Sequence, residues 1–343
     1  MRDKLFRIAQ LVVLGLCGRA MTTTAQTPTV TVGGVGYAQF AYHPSDTAKN
    51  ANNFDVTRAY INVIGRFGHG VTTRVTPDIY RVTDGSLSYR LKYAFVAWTP
   101  DSSALTFKLG MLNTPFVEWE EQLWDYRMQG TVAMDRNGYL SSSDLGFLVD
   151  GNWGGEKVSM SAGVINGENY NRPLGDKGKD LVARVSLRLI STDDPGRQGG
   201  LRLTGYGHAG KPTGGGVRQR LLGVLSYRSK LLTLAGEAAI TKDSARTTPV
   251  TAGKKGRVFT TFGVLRVPPS SKLQFIGRLD LIDPNTSADD DRQTRYIIGV
   301  GYQVTPNLRV LADLDKVNYQ GGVTSPALEV IRSQALFQVQ FTF

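Results

Sequence analysis

Apolar and polar residues alternate along most of the chain with the period of a β-strand. In the stretches 179–190 and 293–304, leucine, isoleucine, valine, alanine and tyrosine occupy every second position, and arginine, serine, glycine or glutamine fill many of the others. Side chains point alternately to the two faces of a strand, so each stretch has one apolar and one polar face. The pattern predicts sixteen strands, at about 29–42, 54–67, 70–82, 87–98, 104–112, 143–153, 156–166, 179–190, 201–209, 217–228, 230–241, 257–267, 271–282, 293–304, 307–319 and 329–343.

The predicted connections alternate in length. Connections from even to odd strands are nearly all tight, whereas those from odd to even strands are nearly all longer, with the longest at 113–142. Short turns on one side and long loops on the other are typical of outer-membrane barrels, whose tilted strands cross the bilayer in about 9–11 residues. We therefore expect an all-β fold: a transmembrane antiparallel β-barrel of about sixteen strands, formed by one domain at 26–343.

The last stretch, 335–343, has the clearest alternation in the chain. Phe337, Val339, Phe341 and Phe343 fall on one face, and glutamine and threonine fall on the other. A strand this apolar at a chain end is expected where it must close a barrel against the first strand. Alternation alone would also fit a soluble barrel or sandwich with its apolar face turned inward. The terminal phenylalanine, the loop asymmetry and the N-terminus favour the membrane barrel.

The N-terminus has the pattern of a secretory signal peptide. A basic start at 2–7 precedes a short apolar run at 8–17, and small residues at 23–25 offer a cleavage site before Gln26. We expect residues 1–25 to be removed on export and the mature chain to reach the outer membrane of a Gram-negative cell. The interpretation as a lipoprotein, with its lipid attached at Cys17, is less favoured because the preceding Leu16 is bulky. Cleavage would remove the only cysteine and leave no disulfide.

The charge of the chain limits the kinds of molecule that it is expected to bind. The formal net charge is +11 and the pI is about 9.7. Nucleic acid is not expected to meet an exported chain, so the basic balance favours anionic solutes or the phosphates of lipopolysaccharide. The alternative is that the basic charge only keeps the protein soluble.

Aromatic residues near strand ends predict an interfacial girdle. Trp153 and Tyr302 fall on the apolar phase at the short-turn ends of their strands, where barrels place aromatic residues at the level of the lipid headgroups. Trp98 falls on the polar phase of its strand, so we do not expect it to belong to the girdle.

The polar phase is rich in cations. A basic residue facing lipid near the bilayer midplane costs about 2–4 kcal/mol, so these side chains are expected to face the lumen and attract anions. The alternative is that they pair with wall carboxylates at Asp78, Glu237, Asp280, Asp313 and Asp315 and only stiffen the wall. The predicted lumen cations are Arg58, Arg66, Arg74, Lys92, Arg184, Arg188, Arg202, Arg278, Arg295, Arg309 and Arg332.

The longest connection, 113–142, predicts a functional loop. Loops of this length in compact folds are usually functional or disordered, and its aromatic residues argue against disorder. We expect it to fold into the barrel as a constriction; a short helix packed over the rim is the alternative. Its candidate residues are Pro115, Phe116, Glu118, Glu120, Glu121, Arg127 and Arg136.

Catalytic and metal-binding patterns are poor. His43, His69 and His208 lie in separate segments without metal-ligand spacing, and no nucleophile motif stands out. The acidic run 289–291 lacks the EF-hand pattern and reads as a solvated loop tip. We expect no enzymatic activity, no cofactor and no metal.

Several motifs together resemble the phosphate-selective porin O and P family. These are GYAQFAY (36–42), FDVTRAYINVIGRF (54–67), FKLGMLNTPFVEWE (107–120), DLGFLVDGNW (144–153), GVINGENYN (163–171) and the closing FQVQFTF. The resemblance implies a sixteen-stranded, often trimeric channel, with Pro115 and Phe116 introducing the third external loop and Asn166 and Gly167 closing the seventh strand. It also implies that Phe341 and Phe343 are read by the barrel-assembly machinery.

The resemblance leaves the solute open. The family's phosphate selectivity implies dense lumen cations, but the constriction segment of this chain carries several carboxylates that would repel phosphate. We expect passive diffusion of small polar solutes through an arginine-lined, water-filled lumen, with at most a mild preference for anions such as phosphate. A non-conducting structural or adhesin-like barrel is the alternative, and an outer-membrane enzyme is less favoured.

Overall fold

The computed structural model describes residues 27–46, 49, 51–82, 84–171, 178–212, 216–245, 253–323 and 325–343. Sixteen antiparallel strands form one sheet that closes on itself, so the predicted all-β barrel is confirmed. The predicted signal peptide, 1–25, lies outside the described residues. The strands are β1 Thr29–Tyr42, β2 Asn52–Arg66, β3 Val71–Arg81, β4 Leu87–Trp98, β5 Leu105–Asn113, β6 Ser143–Trp153, β7 Val158–Ile165, β8 Asp180–Ile190, β9 Gly200–Gly210, β10 Gly216–Arg228, β11 Leu232–Ala245, β12 Lys254–Arg266, β13 Leu273–Asp283, β14 Gln293–Thr305, β15 Leu308–Tyr319 and β16 Ser333–Thr342.

Within the described residues, three short helices accompany the strands: α1 Val117–Trp124, α2 Ala133–Arg136 and α3 Pro326–Val330. None of the helices in the described residues is long and apolar enough to cross a membrane. The helix α3 corrects the predicted start of the last strand, because Ser325 caps it through its side chain and Pro326 begins it. The strand β16 therefore begins at Ser333 rather than at residue 329.

The barrel closes where β16 pairs with β1. Gln338 donates to Gln39 across this seam at 2.9 Å, and Gly34 and Phe343 exchange two backbone hydrogen bonds. The Phe341 ring lies over Gly36, where an added Cβ would approach ring carbon Cζ to 2.2 Å. Phe343 covers Gly34 in the same way. The closing phenylalanines therefore occupy space that only glycine leaves open on β1.

The two faces of the sheet follow the predicted alternation. On β8, Leu181 is 60% exposed outside the barrel, whereas Arg184 is 1% exposed inside it. The connections between strands are mostly short at one end, such as 154–157 and 229–231, and mostly long at the other. We name these ends the short-turn end and the long-loop end.

A β-bulge changes the phase of β4. The register with β3 shifts between Thr76 and Pro77, so that Lys92 and Tyr93 both point inward. The residues after the bulge change face, and Trp98 is 44% exposed on the outer surface, 5.9 Å from the Phe107 ring. The assignment of Trp98 to the polar face was wrong, because unbroken alternation was assumed across a bulge.

Candidate pore and constriction segment

The connection between β5 and β6 lies inside the barrel. This internal segment (residues 114–142) contains α1 and α2, and its Phe116, Leu123 and Trp124 are fully buried. The Trp124 ring lies 5.3 Å from that of Phe262 on β12, and Phe116 lies 5.3 Å from Tyr206 on β9. Apolar contact with one side of the wall therefore fixes the segment within the lumen.

Wall side chains also hold the backbone of the internal segment. Each of five arginines on the wall donates to one of its carbonyl oxygens, as does Gln338 to Met128 at 2.9 Å. A charged donor on a carbonyl is stronger than a neutral one, and each such bond satisfies a backbone group that the segment does not pair internally. The arginine bonds run from Arg184 to Pro115 (2.8 Å), Arg228 to Gln122 (2.7 Å), Arg309 to Asp125 (2.8 Å), Arg278 to Thr131 (2.9 Å) and Arg220 to Tyr139 (3.0 Å).

A buried carboxyl pair lies between α1 and β11. Glu120 is 0% and Glu237 1% exposed; the two carboxyl groups are neighbours, and no donor among the described residues bonds to either of them. Burial first, and then the neighbouring Glu237, raises the pKa of Glu120 well above its ordinary value; Arg278 opposes this and Asp280 adds to it. Two carboxylates cannot bond without a proton, so the contact depends on Glu120 staying protonated.

The opposite side of the internal segment faces a cavity. It has a volume of about 290 Å³ and lies between the segment and the wall formed by β1–β4, with one residue from β16. Polar and aromatic side chains surround it on both sides. Its lining is Val35, Tyr37, Tyr60, Asn62, Arg74, Thr76, Lys92, Tyr93, Glu118, Glu121, Gln122, Asp125, Arg127 and Gln340.

Most charges around this cavity are paired. Arg74 contacts Glu118 at 3.4 Å, and Arg127 contacts Glu121 at 2.7 Å. Lys92 has no carboxylate within 4.0 Å among the described residues; its ammonium lies 3.5 Å from the Tyr60 hydroxyl and 4.5 Å from the centre of that ring. Three cations therefore face three carboxylates here, Asp125 being the third, and Lys92 is the cation without an acidic partner.

Only two of the predicted lumen cations, Arg74 and Lys92, line this cavity. Arg184, Arg278 and Arg309 instead hold the internal segment through the carbonyl bonds described above. Arg184 and Arg278 are absent from the cavity lining, and each is bonded to the backbone of the segment, so the structure places them beneath the segment, away from the cavity. This position differs from the expectation of a solute path lined by these side chains.

Three other predicted cations lie toward the short-turn end. Arg202 is fully buried and donates to Gly199 at 3.1 Å. Arg188 also donates to Gly199, at 3.0 Å. Both therefore fix the connection 191–199. Arg66 is exposed, with the Thr31 hydroxyl 3.5 Å away.

The last three predicted cations pair with acids toward the long-loop end. Arg58 contacts Asp78 at 2.6 Å and Arg295 contacts Asp315 at 2.7 Å. Arg332 contacts Glu329 of α3 at 2.7 Å. It precedes β16, so it does not lie on the strand where the sequence pattern placed it. Pairing with wall acids, the alternative weighed from the sequence, describes Arg58 and Arg295 but not Arg332, whose partner lies on a helix.

The predicted constriction residues divide between the two sides of the internal segment. Glu118, Glu121 and Arg127 face the cavity. Pro115, Phe116 and Glu120 are buried on the other side. Arg136 also lies there, donating to Gln129 at 2.9 Å and contacting Asp315 at 3.3 Å. Burial, reinforced by Arg295 and Arg278, lowers the pKa of Arg136 to about 9.

Several cavity residues were not anticipated from the sequence. Tyr37, Tyr60 and Tyr93 supply most of its aromatic surface, and Asn62 accepts from Arg74 at 3.0 Å. The alternation of β1 and β2 indicates that Tyr37 and Tyr60 point inward, but tyrosine fits either face of a strand. Asp125 was missed because its position after α1 depends on how the internal segment turns.

Metal and catalytic chemistry find little support in the described part of the chain. It holds no group of three or more histidine, cysteine, aspartate or glutamate side chains that could bind a metal ion. His208 is inward-facing rather than on a surface, with Nε2 2.7 Å from Asp180 and Nδ1 3.3 Å from the Tyr206 hydroxyl. Among the described residues, no serine or cysteine side chain is hydrogen-bonded to His208 or Asp180.

Comparison with known proteins identifies the fold as that of sixteen-stranded porins. No family model matches the chain, and no curated protein matches it in sequence. Among solved structures, an anion-selective porin from Comamonas acidovorans is 13% identical with a TM-score of 0.64, covering 92% of this chain and 100% of that one. OmpF of Salmonella typhi is 12% identical (TM-score 0.65; 92% and 97% covered), and the trimer form of OmpT, an outer membrane protein of Vibrio cholerae, is 11% identical (0.64; 93% and 100%).

Proposed function

We propose that this protein is an outer-membrane porin that lets small polar solutes diffuse passively past the internal segment. The observation that carries the proposal is the polar cavity between that segment and the β1–β4 wall, inside a barrel whose exposed outer face is apolar. A water-filled passage needs such a lining, and a loop folded into the lumen limits its width. Porins among the structural neighbours support the same conclusion.

We infer a mild preference for anions rather than strong phosphate selectivity. Arg74 and Arg127 are paired with carboxylates, which leaves Lys92 as the unpaired cation of the cavity. Selective binding of phosphate needs several cations free of acidic partners. Phosphate is then one permitted solute among others. The finer relation to the phosphate-selective porin O and P family rests on the sequence motifs.

The test is planar-bilayer conductance of the purified protein, with the reversal potential measured across a salt gradient. We expect discrete conducting steps and a small reversal potential of the sign for anions. Absence of steps would overturn the porin proposal and favour a non-conducting barrel, because the internal segment already fills much of the lumen with buried side chains. A cation-selective reversal would overturn only the role given to Lys92.

We propose further that Phe341 and Phe343 guide assembly of the barrel, and that the protein forms a homotrimer. Deleting Phe343 removes the ring over Gly34 and two backbone bonds at the seam. The truncated chain should therefore reach the outer membrane at a lower level than the full chain, as measured by heat-modifiable migration. Analytical ultracentrifugation in detergent tests the trimer.

A further inference from the structure

The outer surface across β7–β14 contains two adjoining grooves. Their volumes are about 950 and 820 Å³, and they share Leu221, Ile240 and Arg257 as the ridge between them. Leu221 and Ile240 are 61% and 56% exposed. Gly207 lines the larger groove, and an added Cβ there would meet no atom within 4 Å. Large apolar side chains beside glycines thus leave room for flexible hydrocarbon chains.

Besides Arg292, which pairs with Asp283, three cations lie at the long-loop end of these grooves. Lys242, Lys255 and Arg257 are exposed on the outward phase, the phase that also holds Ile240 and Phe259. Register places Lys242 directly opposite Lys255, and Arg257 opposite Ile240. Like charges directly opposite each other destabilise a pair of strands. This arrangement costs free energy unless an anion lies between the side chains.

The neighbouring acids do not supply that anion. Asp243 contacts Arg220 at 2.8 Å, and Asp283, which lies opposite Arg257 in register, contacts Arg292 at 3.3 Å. Within the described part of the chain, no carboxylate lies within 4.0 Å of Lys242, Lys255 or Arg257. The cluster therefore keeps its positive charge available to a partner outside the chain.

We propose that this face binds a phosphorylated glycolipid of the outer leaflet, the lipid A part of lipopolysaccharide. Its phosphates lie between Lys242, Lys255 and Arg257, and its acyl chains occupy the two grooves below them. The proposal rests on the outer-membrane location, which puts the long-loop end at the external leaflet. Only a ligand that carries both phosphates and several acyl chains satisfies the cations and the grooves together.

Charge disfavours a second copy of this chain as the occupant. A neighbouring barrel would have to present acids to three cations, whereas each chain is basic overall, with or without residues 1–25. In such an interface, Gly207 and Gly223 of the grooves would offer the side chains of the second copy no Cβ atom to pack against. The experiment therefore measures the oligomeric state of the protein as well as its lipid binding.

The experiment titrates the full chain in detergent with diphosphorylated lipid A and counts bound lipid by native mass spectrometry. The triple variant K242Q/K255Q/R257Q should bind about ten- to a hundredfold more weakly, since each basic residue near an anionic lipid surface is worth roughly fivefold. The control K157Q/K230Q/K272Q removes the same charge at the short-turn end, where these lysines are exposed, and should stay within about twofold of wild type. The charge-preserving variant K242R/K255R/R257K should retain binding and excludes a folding defect.

Three outcomes would decide against the proposal. Equal binding of dephosphorylated lipid A, or wild-type affinity in K242Q/K255Q/R257Q, would overturn it. Loss of the oligomer in that variant with lipid binding intact would identify the face as an interface between copies. Bilayer conductance should be unchanged in all three variants. If the wild-type protein does not conduct at all, the porin proposal fails while the lipid titration still stands by itself.

Discussion

The two sides of the internal segment differ in composition and in what they contact. Toward β9–β15, α1 presents Val117, Leu123 and Trp124 to a buried hydrophobic cluster of the wall. Toward β1–β4, the same helix presents Glu118 and Glu121 to a polar cavity. Helical periodicity places residues three and four positions apart on one side, so eight residues suffice to separate the two environments.

This difference shows that a cation in the lumen wall does not by its presence predict selectivity. Arg278 on β13 and Arg74 on β3 both point into the barrel. Arg278 lies under the internal segment, where it pairs with Asp280 and donates to a backbone carbonyl. Arg74 instead borders the cavity. Stability effects should therefore come from the packed side, and permeation effects from the cavity side.

The largest expected effect follows from breaking the packed side with Trp124→Ala. Trp124 is fully buried against Phe262 and Tyr126, and truncating a buried aromatic residue costs about 3–5 kcal/mol. We expect a lower free energy of unfolding in urea, together with larger or noisier single-channel conductance as the segment loosens. Trp98→Ala, on the outer surface, is the control and should leave conductance unchanged. Wild-type stability and conductance in Trp124→Ala would show that packing does not fix the segment.

The second prediction compares the two arginines directly. Arg278→Gln leaves Asp280, which is 0% exposed, without its partner at 2.8 Å, and removing one member of a buried pair costs about 3 kcal/mol or more. Arg74→Gln breaks a contact at 3.4 Å between side chains that are each 24% exposed, so its cost should stay below about 1 kcal/mol. Chemical unfolding of both variants measures the difference. Equal losses would remove the distinction between the two sides.

The fold was predictable because alternation is a local property. All sixteen strands were anticipated, and errors arose where one residue broke the pattern: the bulge at Lys92 moved Trp98 to the outer face, and Pro326 began a helix where a strand was expected. The site was predictable only in part. Whether an inward arginine meets solute, acid or carbonyl depends on where residues 114–142 lie in the lumen, and no local pattern encodes that position.

The third prediction concerns the pH dependence of the packed side. Because burial beside Glu237 raises the pKa of Glu120, the folded state favours its protonated form. The stabilisation is complete below the ordinary glutamate pKa of about 4.3 and is lost as the pH rises above that value. Glu120→Gln replaces the proton with an amide donor, so its stability should depend less on pH and exceed that of wild type by about 1 kcal/mol at pH 8. Glu118→Gln, on the cavity side, should keep the wild-type profile in thermal unfolding measured from pH 5 to 9.

The smallest effect in free energy is expected on the cavity side, with Lys92→Gln. A single unpaired charge acts on an ion about 5 Å away by roughly 0.8 kcal/mol in water. Because it attracts an anion and repels a cation by this amount, the ratio of anion to cation permeability should change by up to about fifteenfold. The reversal potential in a KCl gradient should shift toward cations, and higher salt should shrink the shift through screening. Arg66→Gln removes the same charge from an exposed position outside the cavity lining and should leave the reversal potential within error of wild type. Equal shifts in the two variants would mean that selectivity follows total charge, and that Lys92 holds no special position beside Tyr60.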